Sequence, residues 1–227
     1  MIAKGSAPQD RGKSEEGFNG TSSRGNYRFS DYFYEVFPNA KQDAGAGTGN
    51  MIVSNTLDNM PYAFLENPND DSFIRIYGRS GNNRVQRFIK RQYVIQNDYL
   101  DTYNILIAKA NGSGLFGEPL SSPIIAIPGE GATDTFVSIG KFHTLDECEN
   151  LSKYLKSKFS RALLGVKKVT QDNPKSVWTC IPMQDFTSKS DIDWSKSIPE
   201  IDRQLYSKYR LSLEEMEFIE THVQEMK

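Results

Sequence analysis

Six cationic side chains follow one another between residues 75 and 91, and no acidic residue separates them. They are Arg75, Arg79, Arg84, Arg87, Lys90 and Arg91. Gly78 and Gly81 predict a turn within this run, and therefore a hairpin or loop with polar residues at its tip. Those tip residues are Arg79, Asn82, Asn83 and Arg84. An arginine fork binds guanine or phosphate, and an asparagine amide pairs with adenine, so the run predicts DNA binding. The alternative is a basic face that contacts only solvent.

Two further segments carry cations beside small or amide side chains. In "KANGSG" (109–114), the small residues would let backbone amides approach a phosphate, with Lys109 as the point charge and Asn111 beside it. A glycine-rich turn without a ligand fits this pattern equally well. In "GVKKVTQDNPK" (165–175), the candidate DNA contacts are Lys167, Lys168 and Gln171. Lysines also stabilise the end of the preceding helix through its dipole, so a structural role remains the alternative there.

The segment "DAGAGTG" at residues 43–49 has the glycine spacing of a loop that holds S-adenosylmethionine. Its candidate ligand residues are Asp43, Gly45, Gly47 and Gly49, with Glu66 where an acid would bind the ribose hydroxyls. However, the preceding "EVFPNAKQ" is a poor buried strand because it contains a proline. The proline-rich catalytic tetrapeptide of amino-methyltransferases is also missing. We therefore interpret the segment as a flexible turn, with a cofactor-binding methyltransferase or endonuclease as the alternative.

Composition limits the remaining chemistry. The net charge is −2, so any nucleic-acid surface must come from local segregation of the 27 basic residues. With two cysteines and two isolated histidines, a disulfide framework, a zinc site and a serine-histidine-aspartate triad are disfavoured. Asp185, Asp191 and Asp193 lack the strand pair of a Mg²⁺-dependent nuclease, and we expect Asp185 and Asp193 to form turns and caps. The N-terminus lacks the apolar core of a signal peptide and nothing resembles a membrane span, so we expect a cytoplasmic protein.

The elements that must position these residues predict an α+β fold. Residues 1–26 are predicted to be loosely ordered, residues 27–197 to form a strand-rich domain, and residues 198–227 to form a C-terminal helical hairpin. The run 27–37 is predicted as a strand or a short helix. Strands are predicted at 51–53, 62–65, 72–79, 83–95, 103–108, 122–129, 135–140 and 176–183. One long helix is predicted over 144–169, with Thr144 and Glu147 as a capping box. A second capping box, at Ser212 and Glu215, begins the last helix.

From "RIYGRSGNNRV" onward the sequence resembles a known family, over residues 75–227. The most specific pieces are "KFSRALLGVKKVTQDNPK" and "IPMQDFTSKSDIDWSKSIPEIDRQLYSKY". They resemble the C-terminal part of Eco57I-like adenine-N6 DNA methyltransferases of bacterial type II restriction-modification systems, and of fused restriction-modification enzymes. In that family this region follows the catalytic domain and is the target-recognition domain, which recognises the DNA sequence. The first 70 or so residues do not match, and the family's catalytic motifs are missing.

The resemblance implies a recognition module whose partners are double-stranded DNA and a catalytic methyltransferase or endonuclease domain or subunit. No cofactor is expected in this chain. S-adenosylmethionine, and Mg²⁺ where the parent enzyme also cleaves, would belong to the catalytic part. No catalytic residue and no metal ligand is assigned here.

Overall fold

The computed structural model describes residues 26–45, 47–68 and 70–226. The segment predicted to be loosely ordered, residues 1–26, lies outside the described residues apart from Asn26. Over the described ranges, helices and two three-stranded sheets form the predicted α+β fold. None of the helices in these ranges has the length and apolar character needed to cross a membrane.

The first sheet contains the basic run. Its strand order is β2-β1-β5, with β1 at Phe73–Ser80, β2 at Asn83–Lys90 and β5 at Glu130–Ala132. β1 and β2 form an antiparallel hairpin, and β5 runs parallel to β1. Ile74 and Ile76 alternate with more exposed residues along β1, so one face of the hairpin packs on the core. β2 is the edge strand, and its first two residues are exposed.

The second sheet lies between two hydrophobic cores. Its strand order is β4-β3-β6, all antiparallel, with β3 at Tyr103–Ala108, β4 at Ile124–Ala126 and β6 at Phe136–Phe142. Ile105 and Ile107 belong to the core formed with the C-terminal helices, whereas Leu106 belongs to the core of the N-terminal half. Because successive side chains of a strand point to opposite faces, this sheet is covered on both sides.

The N-terminal core is rich in aromatic side chains. It carries the short helices α1 at Asp31–Val36, α2 at Ala40–Ala44 and α3 at Thr56–Asn59, and 3₁₀ turns at Arg91–Tyr93 and Asp98–Leu100. Of the two possibilities for 27–37, the helix is right, since Ser30 Oγ accepts the Phe33 amide at 3.3 Å and begins α1. Phe29 and Phe33 are fully buried and stacked, with ring centroids 4.3 Å apart.

Four helices cover the other face of the second sheet: α4 at Leu145–Lys156, α5 at Lys158–Lys167, α6 at Ile198–Lys208 and α7 at Leu213–His222. The prediction of one helix over 144–169 is wrong, because Ser157 is extended and separates α4 from α5. Its hydroxyl caps the Ser160 amide at 3.1 Å, and buried Asp202 accepts the amides of Lys158 and Phe159. Side chain caps thus replace the bonds that a continuous helix would make. The predicted helical hairpin is confirmed as α6 and α7.

Several predicted strands are shorter than expected or absent from the described structure. Residues 176–183 do not form a strand, since Lys175–Cys180 is a 3₁₀ helix that buries the neighbouring side chains Val177 and Trp178 together. The strand predicted over 83–95 ends at Lys90, where a 3₁₀ turn begins. The segments 51–53 and 62–65 make only single bridges, Met51 with Arg28 and Leu65 with Phe88. Short apolar runs alone do not distinguish strands from buried turns.

Candidate nucleic-acid interface

The β1–β2 hairpin presents the four predicted tip residues to solvent. Ser80 pairs with Asn83 across a two-residue turn, in which Gly81 has a φ of 55°. The side chains of Arg79, Asn82, Asn83 and Arg84, which we call the hairpin tip, are all exposed. The prediction that Gly78 also lies in the turn is wrong. Gly78 pairs with Val85 within the strands, where a Cβ would collide with Leu57 and Thr133.

Each of the two arginines of the hairpin tip has one contact outside the hairpin. Arg79 and Arg84 are direct cross-strand partners. The Arg84 guanidinium lies over the Phe136 ring, 5.7 Å from its centroid. The Arg79 amide donates to the Ser54 hydroxyl at 3.1 Å. Within the described residues neither guanidinium forms an ion pair, so both retain their charge for an external ligand.

The other cations of the basic run have internal roles or lie far from the hairpin tip. Arg75 pairs with Glu130, Arg87 pairs with Glu66 at 3.2 Å, and Arg91 pairs with Asp101 at 3.7 Å. Lys90 forms no ion pair with a described acid, but it ends β2. At about 3.4 Å per residue it lies about 24 Å from Asn83. The run that is continuous in sequence is therefore divided, and only its central part forms the hairpin tip.

The second and third predicted segments contact each other directly. The backbone amide of Asn111 donates to the backbone carbonyl of Gln171 at 2.8 Å, and the backbone amide of Asn173 donates to the backbone carbonyl of Lys109 at 2.7 Å. The Lys109 ammonium lies 3.6 Å from the Asp172 carboxylate. Residues 109–111 and 171–173 thus form one joined surface, on which the Lys109 charge is shared with an acid.

This joined surface lies next to the hairpin tip. The Lys109 amide donates to the Thr135 carbonyl at 2.8 Å, and Ala108 pairs with Phe136. Phe136 is the residue beneath the Arg84 guanidinium. All three basic segments, far apart in sequence, therefore meet at the same end of the molecule through the first residue of β6.

The glycine loop 112–114 does not offer its amides to a phosphate. The Glu118 carboxylate accepts the Ser113 amide at 2.9 Å and the Gly114 amide at 2.7 Å. Lys168, only 5% exposed, donates to Glu118 at 3.2 Å and to the Asn111 carbonyl at 2.7 Å. Burial raises the pKa of Glu118, but these two amides and Lys168 outweigh it and lower the pKa to about 2. The Glu118 carboxylate thus occupies the amides of Ser113 and Gly114, and Lys168, predicted as a DNA contact, is buried with internal partners.

The remaining candidates of the two loops differ in accessibility. Lys167 is exposed, and its ammonium donates to the Thr179 hydroxyl at 2.6 Å. Gln171 is exposed and uses only its carbonyl in the loop contact. The Asn111 side chain donates to the Pro119 carbonyl at 2.9 Å, so it stabilises the loop instead of extending to a ligand. Lys167 and Gln171 therefore remain candidates for DNA contacts at the margin of the interface.

Three hydroxyl groups beside Arg79 were not predicted from the sequence. Ser54 Oγ lies 3.2 Å from Thr133 Oγ1, which lies 2.8 Å from Thr135 Oγ1. This cluster anchors the Arg79 backbone and joins α3 to the start of β6. The sequence signal for this cluster was the threonine-containing segment "GATDTF" (131–136). It connects two strands and places two hydroxyl side chains beside the start of β6.

The segment 43–49 begins with the last two residues of α2, so its glycines follow a helix instead of a strand. Gly45, Gly47 and Gly49 all have positive φ, which permits the tight path of the chain. Asp43 accepts the Tyr62 hydroxyl at 2.7 Å, and Glu66 is paired with Arg87. A dinucleotide-type or S-adenosylmethionine loop is delivered by a buried parallel strand, and this geometry differs from it. The structure therefore favours the turn interpretation over the cofactor alternative.

The aspartates after the 3₁₀ helix act in turns, as predicted. Asp185 accepts the Thr187 amide at 2.8 Å, and Asp193 accepts the Ser195 amide at 3.0 Å. These hydrogen bonds lower the pKa of both carboxyls. Asp191 pairs with Lys208 at 2.6 Å. Over the ranges that the structure describes, no three histidine, cysteine or acidic side chains are grouped so that they could hold a metal ion.

Comparison of the chain with protein-family models, with curated proteins and with solved structures finds no match.

Proposed function

We propose that the chain is a sequence-specific DNA-recognition module, with double-stranded DNA as its ligand. The observation that supports this most strongly is the meeting of the three basic segments at one end, around an exposed hairpin tip. A two-stranded β-ribbon fits the major groove of B-DNA, where each base pair presents a distinct set of donors and acceptors. The hairpin tip carries the residue types that use this code, two arginines and two asparagines.

The distribution of charge supports the same proposal. Helix α7 carries four glutamates and no lysine or arginine, and neither α6 nor α7 contributes a residue to the interface. A net charge of −2 for the whole chain is therefore compatible with a locally positive surface. Cationic interfaces of this kind bind phosphates with strong dependence on salt.

On this proposal the chain has no catalytic activity of its own. It positions duplex DNA for a separate methyltransferase or endonuclease domain or subunit of a restriction-modification system, in which adenine would be flipped and methylated. The resemblance over residues 75–227 supports this setting. S-adenosylmethionine would bind to the catalytic partner.

The test is selection of duplexes from a random library by the purified chain, followed by fluorescence anisotropy with the enriched duplex and a scrambled one. We expect one enriched sequence, bound more tightly than the scrambled duplex, with affinity that falls as salt increases. Asn82→Ala and Asn83→Ala should reduce the preference between the two duplexes. Absence of enrichment and of salt-dependent binding to any duplex would contradict the proposal.

A further inference from the structure

We infer that Arg79 and Arg84 form a two-arginine clamp for a single phosphate group, which leaves Asn82 and Asn83 to contact bases. This inference rests on the proposed function for its setting, a duplex DNA backbone. The clamp itself is a binding site for a phosphate or similar tetrahedral anion. It can be tested on the free protein.

The register of the hairpin places the two arginines of the clamp opposite each other. Arg79 and Arg84 are directly opposite each other, one pair from the turn. Opposed side chains of an antiparallel pair have Cβ atoms about 5 Å apart, and like charges in this arrangement destabilise the strands. Directly opposed residues project their side chains from the same face, and both arginines are exposed, so an anion bound between them would reduce the repulsion.

The neighbouring arginines differ from the clamp arginines in having acidic partners within the chain. Arg75, Arg87 and Arg91 each have a carboxylate partner. Arg79 and Arg84 have none within the part of the chain that the structure describes. The flanking arginines are thus paired with carboxylates, whereas the two directly opposed arginines of the hairpin have no counterion among the described residues.

Contacts within the protein partly organise the clamp before any ligand binds. The Phe136 ring supports the Arg84 guanidinium, and the Ser54 hydroxyl holds the Arg79 backbone. Ser54 and Phe136 are both tied to the segment 133–136, since Ser54 contacts Thr133. These contacts restrict the Arg84 side chain and the Arg79 backbone, and such restriction before binding reduces the entropy lost when the ligand binds.

The chemistry of the ligand follows from the number of donors. A guanine edge offers O6 and N7, which satisfy one guanidinium fork. A phosphate group offers oxygens on several sides and accepts bidentate hydrogen bonds from two arginines at once. Two opposed forks therefore match a phosphate better than one base edge. Asn82 lies in the turn between them, where it extends beyond the clamp toward the groove.

The experiment measures the salt dependence of duplex binding for Arg79→Gln, Arg84→Gln and the double variant. Exposed Arg203 on α6, which has no ion pair among the described residues, supplies the control Arg203→Gln. We expect the double variant to lower the slope of log affinity against log salt by about 0.9, the value for one phosphate contact. Affinity should fall by at least about tenfold, equally for the enriched and scrambled duplexes. Arg203→Gln should leave both quantities unchanged.

A readout without DNA separates the clamp from the proposed function. Inorganic phosphate should raise the melting temperature of the wild-type chain and of Arg203→Gln, but not that of the double variant. Arg84→Glu should melt about 2 °C above Arg84→Gln, because a glutamate opposite Arg79 forms an ion pair that a glutamine cannot form.

The outcomes are distinguishable. A double variant that keeps the wild-type salt slope but loses sequence preference overturns the clamp and leaves DNA recognition standing. Failure of the wild-type chain to bind any duplex overturns the proposed function. In that event stabilisation by phosphate that requires both arginines still supports the clamp, and equal stabilisation of the double variant overturns it.

Discussion

The Lys168 ammonium lies 3.2 Å from the Glu118 carboxylate, inside the protein, at the point where sequence alone predicts a DNA contact. The same carboxylate accepts two backbone amides of the glycine loop. Glu118 therefore holds the loop 109–118 closed against the end of α5. This pair determines the shape of the loop beside the hairpin tip.

Removing Lys168 should destabilise the protein strongly. Lys168→Ala leaves Glu118 without its counterion, and breaking a buried pair by deleting one partner costs about 3 kcal/mol of unfolding free energy. The matched control is Lys167→Ala, one residue earlier and exposed, which should change the unfolding free energy by less than about 0.5 kcal/mol. Urea unfolding of the three proteins gives the comparison. Equal values for the two variants would show that the pair contributes nothing.

Glu118 should also make the stability depend on acid pH. Its pKa is lowered from 4.5 to about 2 in the folded chain. A carboxyl with a lowered folded pKa contributes stability above its unfolded pKa and loses it as pH falls through the folded value. We expect the wild-type unfolding free energy to decrease between pH 4.5 and pH 2, and Glu118→Gln to decrease less over this window. Parallel pH profiles would contradict the assignment.

Asp202 should be the carboxylate that most affects the packing of α5. Asp202→Ala leaves the amides of Lys158 and Phe159 without acceptors in a buried position, and we expect a loss of about 3 kcal/mol. Asp191→Ala removes an exposed partner of Lys208 and should cost no more than about 1 kcal/mol. Thermal unfolding followed by circular dichroism tests the difference, and a cost for Asp202→Ala as small as the control would contradict it.

The two glycines of the hairpin should respond differently to alanine. Gly78→Ala forces a methyl group against Leu57 and Thr133, and we expect about 2 kcal/mol of destabilisation. Gly81→Ala meets no neighbour but must adopt a φ of 55°, at about 1 kcal/mol. Only Gly81→Ala should weaken DNA binding beyond its effect on stability, because it changes the hairpin tip. Anisotropy at a temperature where both variants are folded separates these effects.

Isothermal calorimetry with S-adenosylmethionine should give no heat of binding. The reason is structural, since α2 precedes the glycine loop where a cofactor loop would have a buried strand. Saturable heat that disappears in Gly47→Ala would contradict this expectation and would support the cofactor alternative.

Local signals were enough to predict much of the fold. The alternation of Phe73 to Arg79 predicted β1, and the capping box of Ser212 and Glu215 predicted the start of α7. The break at Ser157 was missed because it depends on Asp202, which lies far along the chain and caps α5 only after folding. The apolar residues 176–183 fitted a strand because the burial of Trp178 is decided by tertiary packing, not by local spacing.

The candidate interface could be predicted only in its parts. Composition identified the three basic segments and the residues of the hairpin tip, since charge and turn chemistry are local properties. Which cations keep their charge available could not be predicted, because Glu130, Glu66 and Glu118 neutralise arginines and a lysine distant in sequence. Phe136, which joins the segments, looked like an ordinary strand residue.

The placement of β3 between the two cores has a consequence for protein engineering. Ile105 and Ile107 pack in the core of the C-terminal helices, and Leu106 packs in the N-terminal core. A chain cut on either side of β3 would therefore expose apolar side chains of one core to solvent. The hairpin therefore cannot be transplanted with the N-terminal half alone. If the proposed function holds, a chimera designed to alter DNA preference should keep the described chain intact and exchange only residues 81–83, the two turn residues and the first residue of β2.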